Sequence, residues 1–180
     1  MAKNGYMALS GLGPDRPGLV AEVTRFLVER GCSVQESRMA VLGGEFGVLM
    51  LVAGAQEGLD SVQSSLADLQ AQTGLRLVLK LTASPEEHRR AAVVPCQVTA
   101  SSLDHEGIVY AVTNVLYRAG ANIVALETTA YNAPITGSPL FRLEASVDVP
   151  QAVSLPELRA SLSEVGQSEN LDIELKTLVG

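Results

Sequence analysis

The sequence predicts an α+β protein built from two ferredoxin-like βαββαβ domains, each with a four-stranded antiparallel sheet and two helices on one face. Two observations support this prediction: the second half of the chain repeats the first, and each half alternates strand and helix patterns in that order. The length of 180 residues suits two domains of roughly 80–90 residues. Right-handed crossovers in each half place both helices on the same side of its sheet.

The internal repeat is found by comparing the chain with itself. A shift of 89 positions aligns seven identical residues, beginning with Asp15 on Asp104. The other pairs are Gly18 with Gly107, Val20 with Val109, Val23 with Val112, Thr24 with Thr113, Leu27 with Leu116 and Gly31 with Gly120. Later in each copy the shift becomes 96, which predicts an insertion of seven residues near 131–139 in the second copy.

Each copy is predicted to contain six elements, and the first copy shows them clearly. Residues 6–12 form an apolar strand, after which a helix with one buried face runs from Leu19 to Arg30. Pro17 is expected to open this helix and Gly31 to end it. The remaining predicted elements are strands over 34–42 and 46–53 joined by a glycine turn at 43–44, one amphipathic helix over 59–69, and a half-buried strand over 75–81.

The domain boundaries follow from a polar stretch between the copies. Residues 83–92 combine proline with Glu, His and Arg, a composition that is typical of linkers. The sequence therefore predicts a first domain at residues 1–82, a linker at 83–92 and a second domain at 93–180.

Composition restricts the class of partner. A net charge of −7 and a pI near 4.8 oppose direct binding of nucleic acid, which needs clustered Lys and Arg to neutralise phosphates. The apolar stretches fall short of the roughly 20 residues that a membrane-spanning helix needs, so no contact with a membrane is expected. The first residues lack the apolar segment of a secretory signal, and we expect the protein to be cytoplasmic.

No catalytic or metal-binding arrangement is recognised in the sequence, and no cofactor is predicted. The histidines are His88, in the linker, and His105, so a nucleophilic device would need His105 beside Cys96. A third group that could orient this pair is not evident, and the thiols and imidazoles lack metal-ligand spacing. Cys32 and Cys96 are therefore predicted to be small buried residues.

Glycine-rich loops before the two first helices are the candidate binding sites. We interpret Gly11, Gly13 and Gly18 as residues of a tight turn between strand and helix. The free N–H groups of a helix start attract a carboxylate, and Asp15 or Asp104 offers an acceptor for an ammonium group. Together these groups suit an amino acid. An alternative interpretation is that the two aspartates cap the helices.

Two segments of the first copy resemble a known family. Gly13-Pro-Asp-Arg-Pro-Gly-Leu-Val, followed by Gly31, resembles the signature of the ACT domain, a ligand-sensing module of amino-acid metabolism. Residues 31–46 resemble the glycine cleavage system transcriptional repressor family, whose members contain two tandem ACT domains. Within this second segment, Arg38 and Glu45 are expected to pair across the hairpin, to remain solvated or to contact a partner.

The resemblance implies where an amino acid binds. ACT domains commonly pair side by side and hold the ligand between the first loop of one domain and the second strand of the other. Serine-sensing relatives carry asparagine where this chain has Asp15 and Asp104, and a further asparagine after the first helix, which Asn122 matches and Ser33 does not. The candidate ligand-binding residues are Asp15, Gly18, Leu19, Ser33, Asp104, Gly107, Ile108 and Asn122. Because a serine hydroxyl only partly replaces an amide, we expect unequal sites, with the tighter one containing Asn122.

The resemblance further implies a regulatory protein that is not an enzyme. It is expected to sense a small amino acid such as glycine or serine and to control a transcription factor or an enzyme through protein contacts. Glycine cleavage genes are the expected target, and a homodimer formed by ACT-domain pairing is the expected assembly. Two alternatives stay open: an ACT-fold interaction module that has lost its ligand, and a small ferredoxin-like hydrolase, for which the repeat supplies no matched Arg and Asn pair.

Overall fold

The computed structural model describes residues 5–86 and 92–178. The chain divides into two compact units, Met1–Arg89 and Arg90–Gly180, which we call unit 1 and unit 2. Residues 87–91 of the predicted linker, including His88, lie outside the described residues. The domain boundaries after residue 82 and before residue 93 stay predictions.

Unit 1 has the predicted order of elements with one change in its second helix. Its elements are β1 (Gly5–Pro14), α1 (Leu19–Glu29), β2 (Cys32–Leu42), β3 (Glu45–Gly54), α2 (Gln56–Ser64), α3 (Leu66–Thr73) and β4 (Arg76–Thr82). The single helix predicted over 59–69 is wrong, because the chain breaks at Ser65 into two short helices. Ser65 has φ −105° and ψ 16°, outside the helical region, and its hydroxyl donates to the Ser61 carbonyl.

Unit 2 repeats this order with an unbroken second helix. Its elements are β5 (Val93–Leu103), α4 (Ile108–Arg118), β6 (Asn122–Asn132), β7 (Pro139–Pro150), α5 (Leu155–Glu169) and β8 (Asp172–Thr177). The Ser154 hydroxyl caps α5 by accepting the Glu157 N–H, and Asn170 ends the helix in the left-handed conformation with φ 53°. The connection between β6 and β7 is longer than the two-glycine turn of unit 1, at the position that the repeat predicts.

The two sheets share one topology. The strand order is β2-β3-β1-β4 in unit 1 and β6-β7-β5-β8 in unit 2, and every neighbouring pair is antiparallel. Each edge strand after the first helix has a register shift at the same place, between Val34 and Glu36 and between Ile123 and Ala125. The ferredoxin-like fold predicted for each half is confirmed.

Each unit builds its core between one sheet face and the helices. In unit 1, alternate residues of the central strands, such as Met7 and Leu9, pack against Val23 and Leu27 of α1. The equivalent helix positions of unit 2, Val112 and Leu116, belong to a second apolar core cluster. The helices therefore lie on one face of each sheet, as the sequence predicts.

Two glycines and a proline differ from their predicted roles. Gly11 and Gly13 lie inside β1 and are not turn residues. A Cβ on Gly13 would stand 2.9 Å from the Gly74 carbonyl oxygen, so glycine is needed for the close approach of the backbone before β4. Pro17 does not open the helix either, because α1 begins at Leu19 after Gly18.

The β2–β3 hairpin turns at Gly43 and Gly44, as predicted. Arg38 does not pair with Glu45 but makes a 2.9 Å salt bridge to Glu36 on its own strand. Both partners of this bridge are largely exposed, so it adds little stability. None of the helices in the described parts of the chain has both the length and the apolar character required to cross a membrane.

Candidate functional site

The two predicted loops have nearly the same backbone conformation. Gly18 precedes α1 with φ 93° and ψ −12°, and Gly107 precedes α4 with φ 92° and ψ −8°. This left-handed conformation favours glycine over residues with a Cβ. The repeated sequence therefore encodes one loop geometry twice, and we call these segments, residues 15–18 and 104–107, the β1–α1 loop and the β5–α4 loop.

The first turn of each of these helices contains main-chain N–H groups that have no intrahelical acceptor. The first helical bonds are donated by Glu22 N–H to the Gly18 carbonyl and by Ala111 N–H to the Gly107 carbonyl, each at 2.9 Å. The three N–H groups that precede each of these bonds have no intrahelical acceptor. Neither helix has a side-chain cap, so the interpretation of Asp15 and Asp104 as capping residues is wrong.

Both aspartates are fixed through their main chain and leave their carboxylates exposed. Asp15 N–H donates to the Gly44 carbonyl and Asp104 N–H donates to the Pro139 carbonyl, each at 3.0 Å. These bonds attach each loop to the neighbouring hairpin. The side chains are exposed and belong to residues that lie four positions before the first free helix donor. An acceptor and a set of N–H donors are thus close together in each loop.

Leu19 and Ile108 contribute only their main chain to such a site. Each side chain is 2% exposed and belongs to the core of its unit. Burial of these side chains anchors the first turn of each helix, which holds the N–H groups in place. A cavity of about 290 Å³ lies against the β1–α1 loop, and its lining includes Asp15, Gly18 and Phe46.

Arg16 is a loop residue that the sequence interpretation overlooked. Its guanidinium makes two hydrogen bonds to the Glu22 carboxylate, at 2.7 and 2.8 Å, and one to the Gln72 carbonyl at 3.2 Å. The hydrogen bond from Arg16 lowers the pKa of Glu22, and the same contact raises the pKa of Arg16. Arg16 thus ties the β1–α1 loop to the helix layer. The sequence signal for this role is the position of Arg16 within the ACT-like segment that begins at Gly13.

His105 has the corresponding role in unit 2, because a shift of 89 places it on Arg16. Its Nδ1 and Nε2 each lie 3.0 Å from a carbonyl oxygen, of Glu106 and Glu169 respectively. Both contacts are best satisfied when both ring nitrogens carry protons. The hydrogen bond to the Glu106 carbonyl raises the pKa of His105, and the bond to the Glu169 carbonyl raises it by a smaller amount.

The structure does not bring Ser33 or Asn122 to the loop of its own unit. Ser33 pairs with Ala53, which pairs with Tyr6 at the start of β1, whereas the loop follows Pro14 at the other end. At a rise of roughly 3.3 Å per residue, Tyr6 and Pro14 lie about 26 Å apart along the strand. The two predicted parts of the site therefore stand at opposite ends of one sheet.

Unit 2 has the same separation. Asn122 pairs with Asp148, which pairs with Pro95, while the β5–α4 loop follows Leu103. Both Asn122 and Ser33 are exposed, and the Ser33 hydroxyl accepts a hydrogen bond from Gln35 Nε2 at 2.8 Å. Neither unit by itself therefore brings its loop together with its post-helix residue.

The Cys96–His105 pair considered for catalysis is not assembled. Cys96 is fully buried, with burial raising the pKa of its thiol, and His105 lies beyond the opposite end of the same strand. Cys32 is buried as well, and both cysteines are free thiols, as predicted. Within residues 5–86 and 92–178, no three His, Cys, Asp or Glu side chains are grouped to hold a metal ion.

Comparison with known proteins identifies a family for the first unit. Residues 6–80 match the ACT domain family. The chain is 34% identical over 100 residues to the glycine cleavage system transcriptional repressors of Escherichia coli K12 and Shigella flexneri. This similarity covers 56% of the chain and 53% of each repressor, so the chain spans about half the length of the curated relatives it matches.

Two solved structures resemble the chain over nearly its full length. A protein of unknown function from Galdieria sulphuraria is 31% identical, with a TM-score of 0.81, and the match covers 98% of this chain and 100% of that protein. A protein proposed to be a glycine cleavage system transcriptional repressor is 25% identical, with a TM-score of 0.72 and coverage of 99% and 100%. Both similarities extend through unit 2.

Proposed function

We propose that this chain, whose residues 6–80 match the ACT domain family and whose unit 2 repeats the sheet order of unit 1, is a regulatory protein that senses a small amino acid. Glycine and serine are the ligands best suited to the two loops. In this proposal the chain has no catalytic role and acts in the cytoplasm. The regulated partner is a transcription factor or an enzyme, contacted through protein surfaces.

The repeated loop is the single observation that supports this function best. Gly18 and Gly107 share φ and ψ to within a few degrees, at 93° and −12° and at 92° and −8°. Each is followed by helix N–H donors and preceded by an exposed aspartate. Maintaining the same special backbone at two places is explained if both loops contact the same class of ligand.

The chemistry of an amino acid fits these groups. Its carboxylate accepts hydrogen bonds from the N–H groups at the start of α1 or α4, where the helix dipole also favours negative charge. Its ammonium group donates to the carboxylate of Asp15 or Asp104. The absence of a side-chain cap in both loops leaves these N–H groups available to the ligand.

The amide of Asn122 completes one of the two kinds of site in this proposal. Since Asn122 and Asp104 lie at opposite ends of the unit 2 sheet, each site in this proposal takes its loop and its post-helix residue from different copies of the chain. Pairing of ACT domains in a homodimer provides such an arrangement. Ser33 replaces the amide in the other kind of site, which therefore binds more weakly.

Glycine cleavage genes are the proposed target of regulation. The supporting observation is the similarity to transcriptional repressors of that system. The net charge of −7 favours control through a protein partner over direct contact with nucleic acid.

Calorimetry on the full chain tests the site. We expect Asn122→Ala and Asp104→Ala to lose one charge-assisted hydrogen bond each, about 1.5–3 kcal/mol or roughly ten- to a hundred-fold in affinity for glycine or serine. Ser33→Asn is expected to strengthen the weaker site. Ser163→Ala, an exposed change on α5, is the matched control and should bind as the wild type does.

Circular dichroism establishes that each variant is folded before its affinity is compared. Unchanged binding in folded Asn122→Ala and Asp104→Ala variants would show that the ligand does not use these loops. A folded wild-type chain that binds no amino acid would instead support the interaction module without a ligand.

A further inference from the structure

The helix layers of the two units differ at the C-terminal end of the first helix. The repeat places Arg30 of unit 1 on Ala119 of unit 2, with a shift of 89, and Ser65 on Ser161, with a shift of 96. In each unit these two positions face one another across the groove between the first helix and the second helical segment. The same place thus carries a guanidinium group in unit 1 and a methyl group in unit 2.

Arg30 fills the groove of unit 1. Its guanidinium carbon lies 3.5 Å from the centroid of the Phe26 ring. Its Nε donates to Ser65 Oγ at 3.1 Å, and its Nη1 donates to the Phe26 carbonyl at 3.0 Å. A stacking contact and two hydrogen bonds therefore hold the side chain between the helices. Unit 1 shows how this type of groove accommodates a guanidinium group.

The equivalent groove of unit 2 is open. A cavity of about 480 Å³ lies between α4 and α5 beside Ala119, a size within the usual range of small-ligand sites. Its apolar and hydroxyl-bearing lining residues include Val115, Val153, Leu158, Val165, Ser154 and Ser161. The apolar residues suit the methylene groups of a long side chain, and the hydroxyls can accept hydrogen bonds as Ser65 does in unit 1.

The charged residues of this groove favour a cation. Glu157 and Glu164 line it, against a single basic residue, Arg118. Neither glutamate makes a salt bridge within the part of the chain that the structure describes. Carboxylates are the strongest protein acceptors for a guanidinium group, because its planar N–H groups can bind both oxygens.

We propose that the α4–α5 groove of unit 2 binds a guanidinium group on an aliphatic stem. The ligand is an arginine, presented either as a side chain of another protein or as the free amino acid. Its guanidinium lies beside Ala119 and Ser161 and pairs with Glu157 or Glu164. This site differs from the loop sites, because none of its lining residues belongs to the β1–α1 loop or the β5–α4 loop.

An NMR titration of the full chain tests the groove. The probes are L-arginine and N-acetyl-L-arginine methylamide, which mimics an arginine within a protein, and the control is L-citrulline, a neutral molecule of nearly the same shape. We expect saturable shifts at the amides of Ala119 and Ser161, with citrulline binding at least ten-fold more weakly. Binding of the blocked probe assigns the site to a protein side chain, and binding of free arginine alone assigns it to the amino acid.

Two variants make the test specific to the groove. Ala119→Arg supplies the groove with its own guanidinium and should weaken the binding of either probe at least ten-fold. The double change Glu157→Gln and Glu164→Gln removes the charge with little change in shape and should have a similar effect, whereas Ser163→Ala should have none. The proposal is overturned if neither probe shifts these amides, if citrulline binds equally well, or if the folded double variant keeps wild-type affinity.

Discussion

Unit 1 and unit 2 share a sheet order and an apolar core, yet their helix layers are held together differently. In unit 1, Arg16 attaches the first loop to the helices at one end, and Arg30 closes the groove at the other. In unit 2, His105 takes the place of Arg16, while Ala119 leaves the second end open. Two arginine contacts are thus replaced by one histidine contact and a groove.

This difference separates what the fold requires from what each unit adds. Two pairs of equivalent helix residues are identical and fully buried in both units, namely Val23 with Val112 and Leu27 with Leu116. Buried apolar positions and the glycines at turns therefore define the shared fold. The polar contacts between helices vary without changing the topology.

The largest expected effect comes from removing Arg30. Arg30→Ala loses the contact with the Phe26 ring and the hydrogen bond to Ser65, and we expect unit 1 to be destabilised by about 2 kcal/mol. Native-state hydrogen exchange should show the loss in α1 and α3 and leave α4 and α5 unchanged. Arg25→Ala is the control: Arg25 is exposed and lies 3.9 Å from Glu29, so its removal should cost less than about 0.5 kcal/mol. Equal effects in both variants would mean that Arg30 does not hold the helices together.

A smaller loss of stability, of the same size in both units, is expected when the two loop glycines are replaced. Gly18→Ala and Gly107→Ala force a residue with a Cβ into the left-handed region, at a cost of about 1 kcal/mol each. The nearest atom to the added Cβ is 3.6 Å away at Gly18, and none lies within 4 Å at Gly107, so backbone strain dominates. Urea unfolding measures the loss. Gly47→Ala, in a strand with room for a methyl group, should stay within about 0.5 kcal/mol of the wild type.

The smallest expected effect is a difference in pH dependence between the loops. The carbonyls of Glu106 and Glu169 raise the pKa of His105, so its stabilising contact is fully present below pH 6.5 and is lost as the pH rises through the folded-state pKa. Arg16 lowers the pKa of Glu22, so the contact in unit 1 is present above pH 4.5 and is lost as the pH falls through that pKa. NMR titration of His105 checks the first half of this prediction. A His105 that titrates at or below pH 6.5 would contradict it.

The sequence alone was sufficient for the topology but not for every helix. Buried apolar positions recur at helical and strand spacing in both copies, which is why the order of elements could be predicted. The break at Ser65 could not, because the spacing of Leu59 and Leu69 continues through it as in a single helix. It depends on hydrogen bonds that Ser65 makes with Ser61 and with distant Arg30.

Only the part of the candidate site formed by residues close together in the sequence could be predicted. Gly18 and Gly107 can be identified from the sequence because a left-handed backbone conformation favours glycine at that position. The role of His105 was missed, because its partner carbonyl at Glu169 is 64 residues away. The separation of Asn122 from Asp104 follows from strand register, which local motifs do not encode.

A thermal-shift screen of the full chain against the twenty amino acids tests the central claim most directly. A ligand that binds only the folded chain raises its stability, by about 2.7 kcal/mol at a hundred-fold excess over Kd. We predict that glycine or serine raises the unfolding midpoint and that Asp104→Ala reduces this shift. A folded wild-type chain whose midpoint is unchanged by all twenty amino acids would contradict amino-acid sensing.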